Sequence, residues 1–589
     1  MMAFSLQHLR SEGIRFLSRV RSSEQHAVLL LAAGVGILGA FATMAFRVAV
    51  DYAQWLLTGR HDTLVEMARH LSPSARVLIP VVGGLLAGAL LWLQRKRHDS
   101  TGIDYMEAIA GGDGRIPIRA SLLRSTSSLC TIVTGGSIGR EGAMIQLAAL
   151  SASILGRCLK LGRSNLRTLV ACGAAAGVAS AYSAPLAGAV FVCEIVLGSI
   201  ASDRFVPILM ASVVSNITVI AVLGYHPPYI LPDIPVLPIM GMIWFLPLGL
   251  LAGLCTPIFL RLLAMTRFLF DRSGLTPLLS LAVGGLGVGL LSLQAPEVWG
   301  NGYEVVNAVL HTPWPAQALV SILLFKLLAT ALTTGSGAIG GIFTPSLFVG
   351  AMLGCLYGVW LQQLRLENVA TPQIYAVIGM GAFLAASSRA PLMSILMIFE
   401  MTSNYQIMLP LILACVVAYF SSRACAGKSM YTLMSRRDRD QQAHRQLKAT
   451  TVQQIVKPAQ TTLAPEATIS DLVTVFNEFA VKYVYVVDSA QRLCGEVALN
   501  DVTAWLYRDG RSIESTGEPQ LPCTAAQLMR QRLQPLLPEM SITSALAHFM
   551  QHQGERLPVV RSGEDPVLLG IVDKSSVLDI YVRQSAASI

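Results

Sequence analysis

Long apolar stretches separated by short polar breaks run from about residue 27 to residue 431. Many of them approach the roughly 20 residues that a helix needs to cross a bilayer. After Ser435 the pattern changes abruptly, because charged residues become frequent and the long apolar stretches end. The pattern therefore predicts a helical membrane domain over 27–435 with a soluble tail after it.

The tail contains two segments of the same kind. Runs rich in β-branched residues, 482–488 and 556–560, are each followed by a second run that opens with a glycine, Gly495 or Gly570. Such runs predict strands, and the amphipathic segments around them predict helices. We therefore expect two α/β modules. The predicted parts are a linker over 436–451, a first module over 452–510 and a second module over 523–584.

The membrane domain contains a repeated motif. Ala-Pro-Leu occurs at 184–186 and again at 390–392. A glutamate stands nine residues after the proline in both copies, as Glu194 and as Glu400, so the copies are offset by 206 residues. A single repeated tripeptide has little weight by itself, and a second correspondence is needed to establish a repeat.

The second correspondence lies upstream of the first. The run that begins at Gly139 matches the run that begins at Gly341 at an offset of 202 residues, and both follow segments rich in Gly, Ser and Ile. Two ordered matches at nearly one offset predict an internal repeat, a common architecture of membrane transporters. The predicted repeats cover about 27–225 and 238–435.

Glycine- and serine-rich runs at 135–142 and 335–341 occupy matching positions in the two repeats. Glycine lets the chain leave helical geometry, and irregular backbone at membrane depth survives only where it lines a cavity. These runs therefore predict helices that begin inside the membrane. Glycines that only permit close helix packing are the alternative, and they explain an isolated glycine better than two matched runs.

A helix that begins inside the membrane presents unpaired N–H groups and the positive end of its dipole. Two such ends that converge form an anion site, and backbone dipoles bind an anion weakly enough to release it. Glu141 stands at this position, and a carboxylate inside a membrane predicts function because it is costly. When ionised it can occupy the anion site, and protonation frees that site. A structural pair between Arg140 and Glu141 is the alternative, although adjacent helical residues do not face each other.

The composition agrees with a membrane protein. Of the 589 residues, 53% are hydrophobic and 13% are charged, about half the charged fraction of soluble domains. The net charge is +9, and basic clusters flank apolar segments, as in the arm over 1–26 and at Arg436–Arg437. Because basic flanks stay on the cytoplasmic side, we expect both termini to be cytoplasmic and no nucleic-acid partner. With no recognisable signal or targeting segment, a bacterial inner membrane is the expected location.

Enzymatic activity and a metal centre are not expected. The ten cysteines are scattered singly, without the paired spacings of disulfides or zinc sites. The histidines also lack ligand spacing, and no phosphate-binding loop or nucleophile–base pattern occurs.

Several segments resemble signatures of the CLC family of chloride channels and chloride–proton antiporters, of the bacterial type. GSIGREG at 136–142 resembles GxxGREGP, with Ala143 in place of the proline, and GGIFTP at 340–345 resembles GGxFxP. The segments 400–405 and 428–431 are similar to two further family segments. The resemblance covers about 30–435. It implies an all-α polytopic membrane fold with inverted repeats and broken helices, roughly 10–18 membrane helices, and an α/β pair of CBS modules in the tail.

The resemblance also implies roles for residues at matching positions. Glu141 corresponds to the gating glutamate that takes up a proton, and Tyr431 corresponds to a chloride ligand. The backbone N–H groups of Ile342 and Phe343 correspond to the other side of the anion site. Two motifs at the starts of the broken helices supply Gly139, Arg140, Gly142, Gly340, Gly341 and Pro345.

A further family signature falls at 100–104, where it matches weakly. Thr101 and Gly102 would line the anion there. Thr101 stands in place of the family's serine and Asp104 in place of its proline. Threonine keeps a hydroxyl donor, so chloride binding remains expected, while selectivity among chloride, nitrate and bromide stays open.

The choice between channel and exchanger depends on a second glutamate that relays protons in coupled family members. That position is Ile195 here, and Glu194 matches the residue before it, which in the family is mainly structural. Isoleucine carries no proton, which favours a pH- or voltage-dependent chloride channel. A coupled chloride/proton antiporter remains the alternative, because water can also carry protons to a gate.

The tail resembles a CBS pair, and such pairs often bind adenine nucleotides through an aspartate on their last helix. Asp501 has that place in the first module, but Ser576 has it in the second and Ala498 replaces a helpful hydroxyl residue. A nucleotide at Asp501 is therefore one hypothesis. A tail that only stabilises a dimer or supports trafficking is the other.

The expected partners are chloride with nitrate or bromide, protons, lipids and a second copy in a homodimer. Two other functional classes compete with this interpretation. A transporter of another substrate would share only the repeat, and it would not be expected to keep both Glu141 and Tyr431. A membrane-anchored CBS regulatory protein leaves the paired glycine-rich motifs unexplained.

Overall fold

The chain divides into two compact units in the computed structural model, Met1–Leu433 and Met434–Ile589. The predicted ligands Thr101 and Gly102 and almost all of the predicted linker lie outside the described residues. The first helix begins at Glu24, just before the predicted end of the basic arm, and residues 1–23 also lie outside. The described residues are 24–59, 62–96, 104–199, 202–225, 228–229, 231, 238–425, 429–431, 450–479, 481–508, 523–530, 535–551, 555–563 and 565–586.

Helices account for most of the described part of the first repeat. A π-helical turn, Val192–Leu197, continues its eighth helix. The helices are α1 Glu24–Thr58, α2 Leu64–His70, α3 Pro73–Lys96, α4 Tyr105–Ala110, α5 Ile118–Val133, α6 Glu141–Cys158, α7 Arg163–Tyr182, α8 Pro185–Phe191 and α9 Ser202–Leu223.

The described part of the second repeat is also mostly helical, with eight helices against nine in the first. Short 3₁₀ turns occur at Ile239–Trp244, Pro296–Val298 and Tyr405–Ile407. The helices are α10 Phe245–Arg272, α11 Pro277–Ser292, α12 Tyr303–His311, α13 Ala316–Gly335, α14 Phe343–Gln363, α15 Pro372–Ser388, α16 Pro391–Thr402 and α17 Met408–Cys425.

Both repeats interrupt their helices in the same way. Gly135 and Gly337, which follow α5 and α13, have φ angles of +92° and +97°, and glycine adopts this left-handed backbone without strain. Ser183 and Arg389 end α7 and α15 with the same left-handed backbone. A proline then begins α8 and α16. The sequence repeat is therefore a structural repeat, down to single backbone angles.

Seven helical segments among the described residues are long and apolar enough to cross a membrane. They are 27–58, 73–94, 204–223, 239–272, 316–335, 343–363 and 405–425. Three shorter apolar segments, Pro185–Leu197, Pro277–Ser292 and Pro391–Thr402, are each shorter than the roughly 20 residues of a full crossing. Large apolar side chains are exposed along many of these helices, as expected of a surface that contacts lipid.

The tail contains two matching strand pairs. Its helices and strands are β1 Thr462–Leu463, α18 Ile469–Phe479, β2 Tyr483–Val487, β3 Leu493–Ala498, α19 Leu499–Arg508, α20 Ala525–Leu528, α21 Ile542–Gln551, β4 Arg556–Val560, β5 Leu568–Asp573 and α22 Lys574–Ala586. Strands β2 and β3 are antiparallel, as are β4 and β5. Val486 pairs with Gly495, and Val559 pairs with Gly570 in the same register.

The two modules exchange their opening segments, so that each segment packs in the hydrophobic core of the other module. Val452 packs in the core of the second module beside Leu557 and Val572, and Ala525 packs in the core of the first beside Val484. The module boundaries 452–510 and 523–584 remain predictions. Packing divides the tail differently, because each opening segment completes the neighbouring core rather than its own.

Candidate functional site

The two glycine-rich runs meet at a short antiparallel bridge. The Gly139 N–H donates to the Gly341 carbonyl at 2.8 Å, and the Gly341 N–H donates to the Gly139 carbonyl at 3.0 Å. Equivalent residues that bond to each other in this reciprocal way are related by a local twofold axis. Helices α6 and α14 begin two residues after the bridge, so their N-terminal N–H groups and positive dipole ends converge there.

Glu141, the first residue of α6, places its carboxylate at this junction. Its side chain is buried, with 5% of its surface exposed. Thr344 supplies two hydrogen bonds: its N–H donates to Oε1 at 3.2 Å and its hydroxyl donates to Oε2 at 3.2 Å. The first repeat's carboxylate is therefore held by the helix start of the second repeat.

The bridge glycines make room for that carboxylate. A Cβ atom at Gly139 would lie 2.1 Å from both carboxylate oxygens of Glu141, and one at Gly341 would lie 2.3 Å from Oε1. Real Cβ atoms do not approach so closely. The absence of a Cβ atom at Gly139 and Gly341 thus leaves a recess that the Glu141 carboxylate occupies.

Aromatic residues surround the recess. The Tyr182 hydroxyl lies 3.2 Å from the Thr344 hydroxyl, and its ring centroid is 4.9 Å from that of Phe343. The Tyr431 ring packs edge-on against Phe191, with centroids 5.8 Å apart. Tyr182 and Phe343 thus lie beside the Thr344 side chain that contacts Glu141, and the roles of Phe343 and Tyr431 in anion binding remain predictions.

The remaining motif residues occupy the backbone around the bridge. Arg140 and Ile342 are the N-cap residues of α6 and α14. Gly340 stands against the Ile138 side chain, while Gly142 faces the Gly340–Gly341 backbone. Pro345, in the first turn of α14, is buried. Their roles in anion binding remain predictions.

A second junction between the repeats was not foreseen. The Glu194 carboxylate accepts from Leu392 N at 3.4 Å and Met393 N at 2.8 Å, at the start of α16. The Glu400 carboxylate accepts from the corresponding N–H groups of α8, those of Leu186 at 2.9 Å and Ala187 at 2.8 Å. Each glutamate caps the short helix of the other repeat. The sequence contains the nine-residue spacing between proline and glutamate in both repeats, but only the structure shows that each glutamate contacts the other repeat.

Ile195 lies in the π-helical turn Val192–Leu197, directly after Glu194. Lys326 in α13 is a buried charge that sequence reasoning also missed. Its ammonium donates to the carbonyls of Val298 at 2.9 Å and Gly300 at 2.7 Å. A lone lysine inside an apolar run was the available signal.

In the tail, Asp501 lies in the first turn of α19, the helix that closes the first module. Its Oδ1 accepts from Arg530 Nη2 at 2.6 Å. This hydrogen bond and the charge of Asp501 raise the pKa of Arg530 above its already high value. Any nucleotide ribose at Asp501 has to compete with that arginine. Among the described residues no group of three or more His, Cys, Asp or Glu is placed to hold a metal ion.

Comparison with protein families gives two matches. The family described as "Voltage gated chloride channel" matches residues 83–423, and "CBS domain" matches residues 525–583. The first match covers the bridge, both helix starts and both capping glutamates. The second covers the later of the two tail modules.

Relatives and solved structures agree with these matches. A "chloride channel protein ClcB-like" of Ralstonia nicotianae is 49% identical over 422 residues, covering 70% of this chain and 97% of that protein. The "Voltage-gated ClC-type chloride channel ClcB" of Citrobacter koseri is 43% identical over 416 residues, covering 68% and 97%. The structure of a slow cyanobacterial Cl⁻/H⁺ antiporter aligns with TM-score 0.63 and 27% identity, covering 71% and 99%.

A eukaryotic CLC transporter structure covers 93% of this chain and 97% of its own, with TM-score 0.58 and 19% identity. This likeness extends the shared fold into the tail. Fold and site thus define a polytopic membrane transport protein built from two inverted repeats. The chain belongs to the voltage-gated chloride channel (CLC) family, which confirms the resemblance and the fold class predicted from its motifs, and its function is chloride transport of the CLC type.

Proposed function

We propose that this protein conducts chloride through a pathway that Glu141 gates by taking up a proton. The observation that carries the proposal is the Glu141 carboxylate in the recess between the two helix starts. An ionised carboxylate there takes the place of an anion. A protonated one loses its attraction to the N–H groups and the dipole ends, so that chloride replaces it.

In this proposal the anion meets only weak, neutral donors. The N–H groups of Ile342 and Phe343 and the hydroxyl groups of Tyr431 and Thr101 are the proposed ligands. Weak donors permit rapid release, which conduction requires. Nitrate and bromide, anions of similar size and charge, are proposed as further permeant ions.

Passive conduction is the favoured mode because Ile195 stands at the proton-relay position and cannot carry a proton. The names of the bacterial relatives, which call them chloride channels, support the same mode. Coupled chloride/proton exchange is the second candidate. The antiporter of 27% identity that shares this fold favours it.

We further propose a homodimer in a bacterial inner membrane, with both termini in the cytoplasm and a tail that belongs to that assembly. The basic flanks of the membrane domain support this orientation. The ion pair of Asp501 with Arg530 favours a structural tail over a nucleotide-binding one.

The test is flux from liposomes that contain the purified protein and a chloride gradient, with the voltage clamped by valinomycin and potassium. We expect rapid chloride efflux with no linked movement of protons in the external pH record. Proton movement against its own gradient, driven by chloride, would establish the antiporter instead. Absence of chloride flux at any pH would contradict both modes.

A further inference from the structure

Two hydroxyl groups near Glu141, those of Thr344 and Tyr182, are not among the proposed chloride ligands. Thr344 donates to the carboxylate through its hydroxyl as well as its N–H, and the Tyr182 hydroxyl lies 3.2 Å from the Thr344 hydroxyl. Both side chains are buried, with 2% and 4% of their surfaces exposed. Their polar atoms thus depend on each other and on Glu141, because buried polar groups need partners.

The direction of these hydrogen bonds follows from chemistry. An ionised carboxylate has no proton to donate, so the Thr344 hydroxyl must give its single proton to Glu141. The Thr344 oxygen then has only lone pairs left, and Tyr182 must donate to it. The chain runs one way, from Tyr182 through Thr344 to Glu141. Phe343 fixes the tyrosine ring from the side.

The same two donors remain when Glu141 leaves. The Thr344 N–H and hydroxyl converge on the position of the carboxylate oxygens, and an anion that replaces the carboxylate meets both. We propose that Thr344 is a side-chain ligand shared by the gate and the permeant anion, and that Tyr182 is a positioning residue that keeps the Thr344 hydroxyl in its donating orientation. This inference rests on the proposed gating role of Glu141.

The pair also sets the pH at which the pathway opens. Donors to the ionised carboxylate stabilise that form, so they make the proton harder to add. Removing the Thr344 hydroxyl lets Glu141 take up a proton at a lower proton concentration. The pathway then opens at higher pH.

The test measures chloride flux against pH for full-length Thr344→Ala, Thr344→Ser and Tyr182→Phe in liposomes. Because a hydrogen bond to a charged group is strong, its loss in Thr344→Ala should raise the midpoint of the flux, the pH at which the flux is half-maximal, by about one unit. Thr344→Ser keeps the hydroxyl and should stay at the wild-type midpoint. Tyr182→Phe keeps the ring and should move the midpoint in the same direction by less. A packing role for Thr344 would leave all midpoints unchanged.

Anion binding is measured in the Glu141→Gln background, where the gate no longer titrates. Chloride affinity should fall by about tenfold when Thr344→Ala is added, the effect of one lost hydrogen bond to an ion, and Thr344→Ser should restore it. An unchanged midpoint in Thr344→Ala, or a serine variant that behaves like alanine, overturns the inference and leaves the gate intact. If steep pH dependence persists in Glu141→Gln, the proposed gating role of Glu141 is wrong, and the inference that rests on it is wrong as well.

Discussion

Two of the junctions between the membrane repeats differ in symmetry. Where α8 meets α16, each repeat contributes a glutamate, and Glu194 and Glu400 each accept two backbone hydrogen bonds from the short helix of the other repeat. Where Gly139 meets Gly341, the backbones are again reciprocal, but the side chains are not. The residue two positions after the bridge glycine is Glu141 in the first repeat and Phe343 in the second.

This difference separates structure from function. A twofold pair of carboxylates stabilises both repeats equally and has no direction. A single carboxylate at a symmetric junction creates a charge that only one repeat supplies, and therefore a site that can be filled or vacated. The asymmetric side chain is the proposed gate, and the symmetric backbone positions it.

The largest expected effect comes from removing the asymmetric charge. Glu141→Gln should abolish the pH dependence of chloride flux, because the amide resembles the protonated gate. A single titrating carboxyl otherwise changes its occupancy by about tenfold per pH unit. Chloride efflux from liposomes measures this. Glu400→Gln is the matched control, since it neutralises a carboxylate of the symmetric junction and should keep the wild-type pH profile.

Filling the recess should open the pathway without changing any charge. In Gly139→Ala the new Cβ would lie 2.1 Å from both carboxylate oxygens, so Glu141 has to move out. We expect more chloride flux at neutral pH than the wild type shows. Gly142→Ala is the control, because its Cβ would lie 3.3 Å from the Gly341 nitrogen and needs only a small adjustment. Equal flux in the two variants would contradict the proposal that Glu141 closes the pathway by occupying this recess.

The symmetric junction should respond symmetrically. Glu194→Ala and Glu400→Ala each remove a carboxylate that accepts from two backbone N–H groups, and each should lower the free energy of unfolding by about 1–3 kcal/mol. Thermal unfolding in detergent measures the loss. Both variants should retain a pH-dependent flux. A strong loss of stability in one and none in the other would break the proposed equivalence of the caps.

The tail offers the smallest expected effect and a third comparison of repeats. Arg556 pairs with Asp573 across β4 and β5, at the positions of Tyr483 and Ala498 in the first module. Burial opposes ionisation of Asp573, but the hydrogen bonds and charges of Lys457 and Arg556 outweigh it and lower the pKa of the carboxyl. Its contribution to stability is therefore complete above about pH 4 and is lost as the pH falls below it.

Asp573→Asn should cost the second module about 0.5–1 kcal/mol at neutral pH, because its cationic partners are largely exposed. Hydrogen exchange of the β4 and β5 amide groups in the full-length protein measures this loss. The cost should shrink as the pH falls below about 4, because the wild-type carboxyl then takes up a proton as well. Faster exchange in β2 and β3 to the same extent would argue against a local ion pair.

Much of this arrangement could be predicted from local sequence. The membrane domain follows from long apolar stretches, and the repeat follows from the offset of Pro185 and Pro391. The place of Glu141 at a helix start follows from the glycines before it. These features depend on neighbours along the chain, which a sequence displays directly.

The partners across the repeats could not be predicted in the same way. Thr344 lies 203 residues from Glu141, and nothing near either residue shows that they meet. Tyr182 ends α7, where periodicity indicates only burial. The exchange of opening segments in the tail could not be predicted either, since Val452 is apolar and is compatible with either core. Choosing between such partners requires the packing of whole helices and modules.

The bridge between Gly139 and Gly341 limits how the protein can switch access from one side of the membrane to the other. Both of its hydrogen bonds cross the local twofold axis, and a slide of one repeat past the other by a single residue would break both together. Rocking of two halves about a central substrate is therefore costly at the proposed anion site. Rotation of the Glu141 side chain about its own bonds requires less free energy, because it would open the proposed path while both hydrogen bonds of the bridge stay intact.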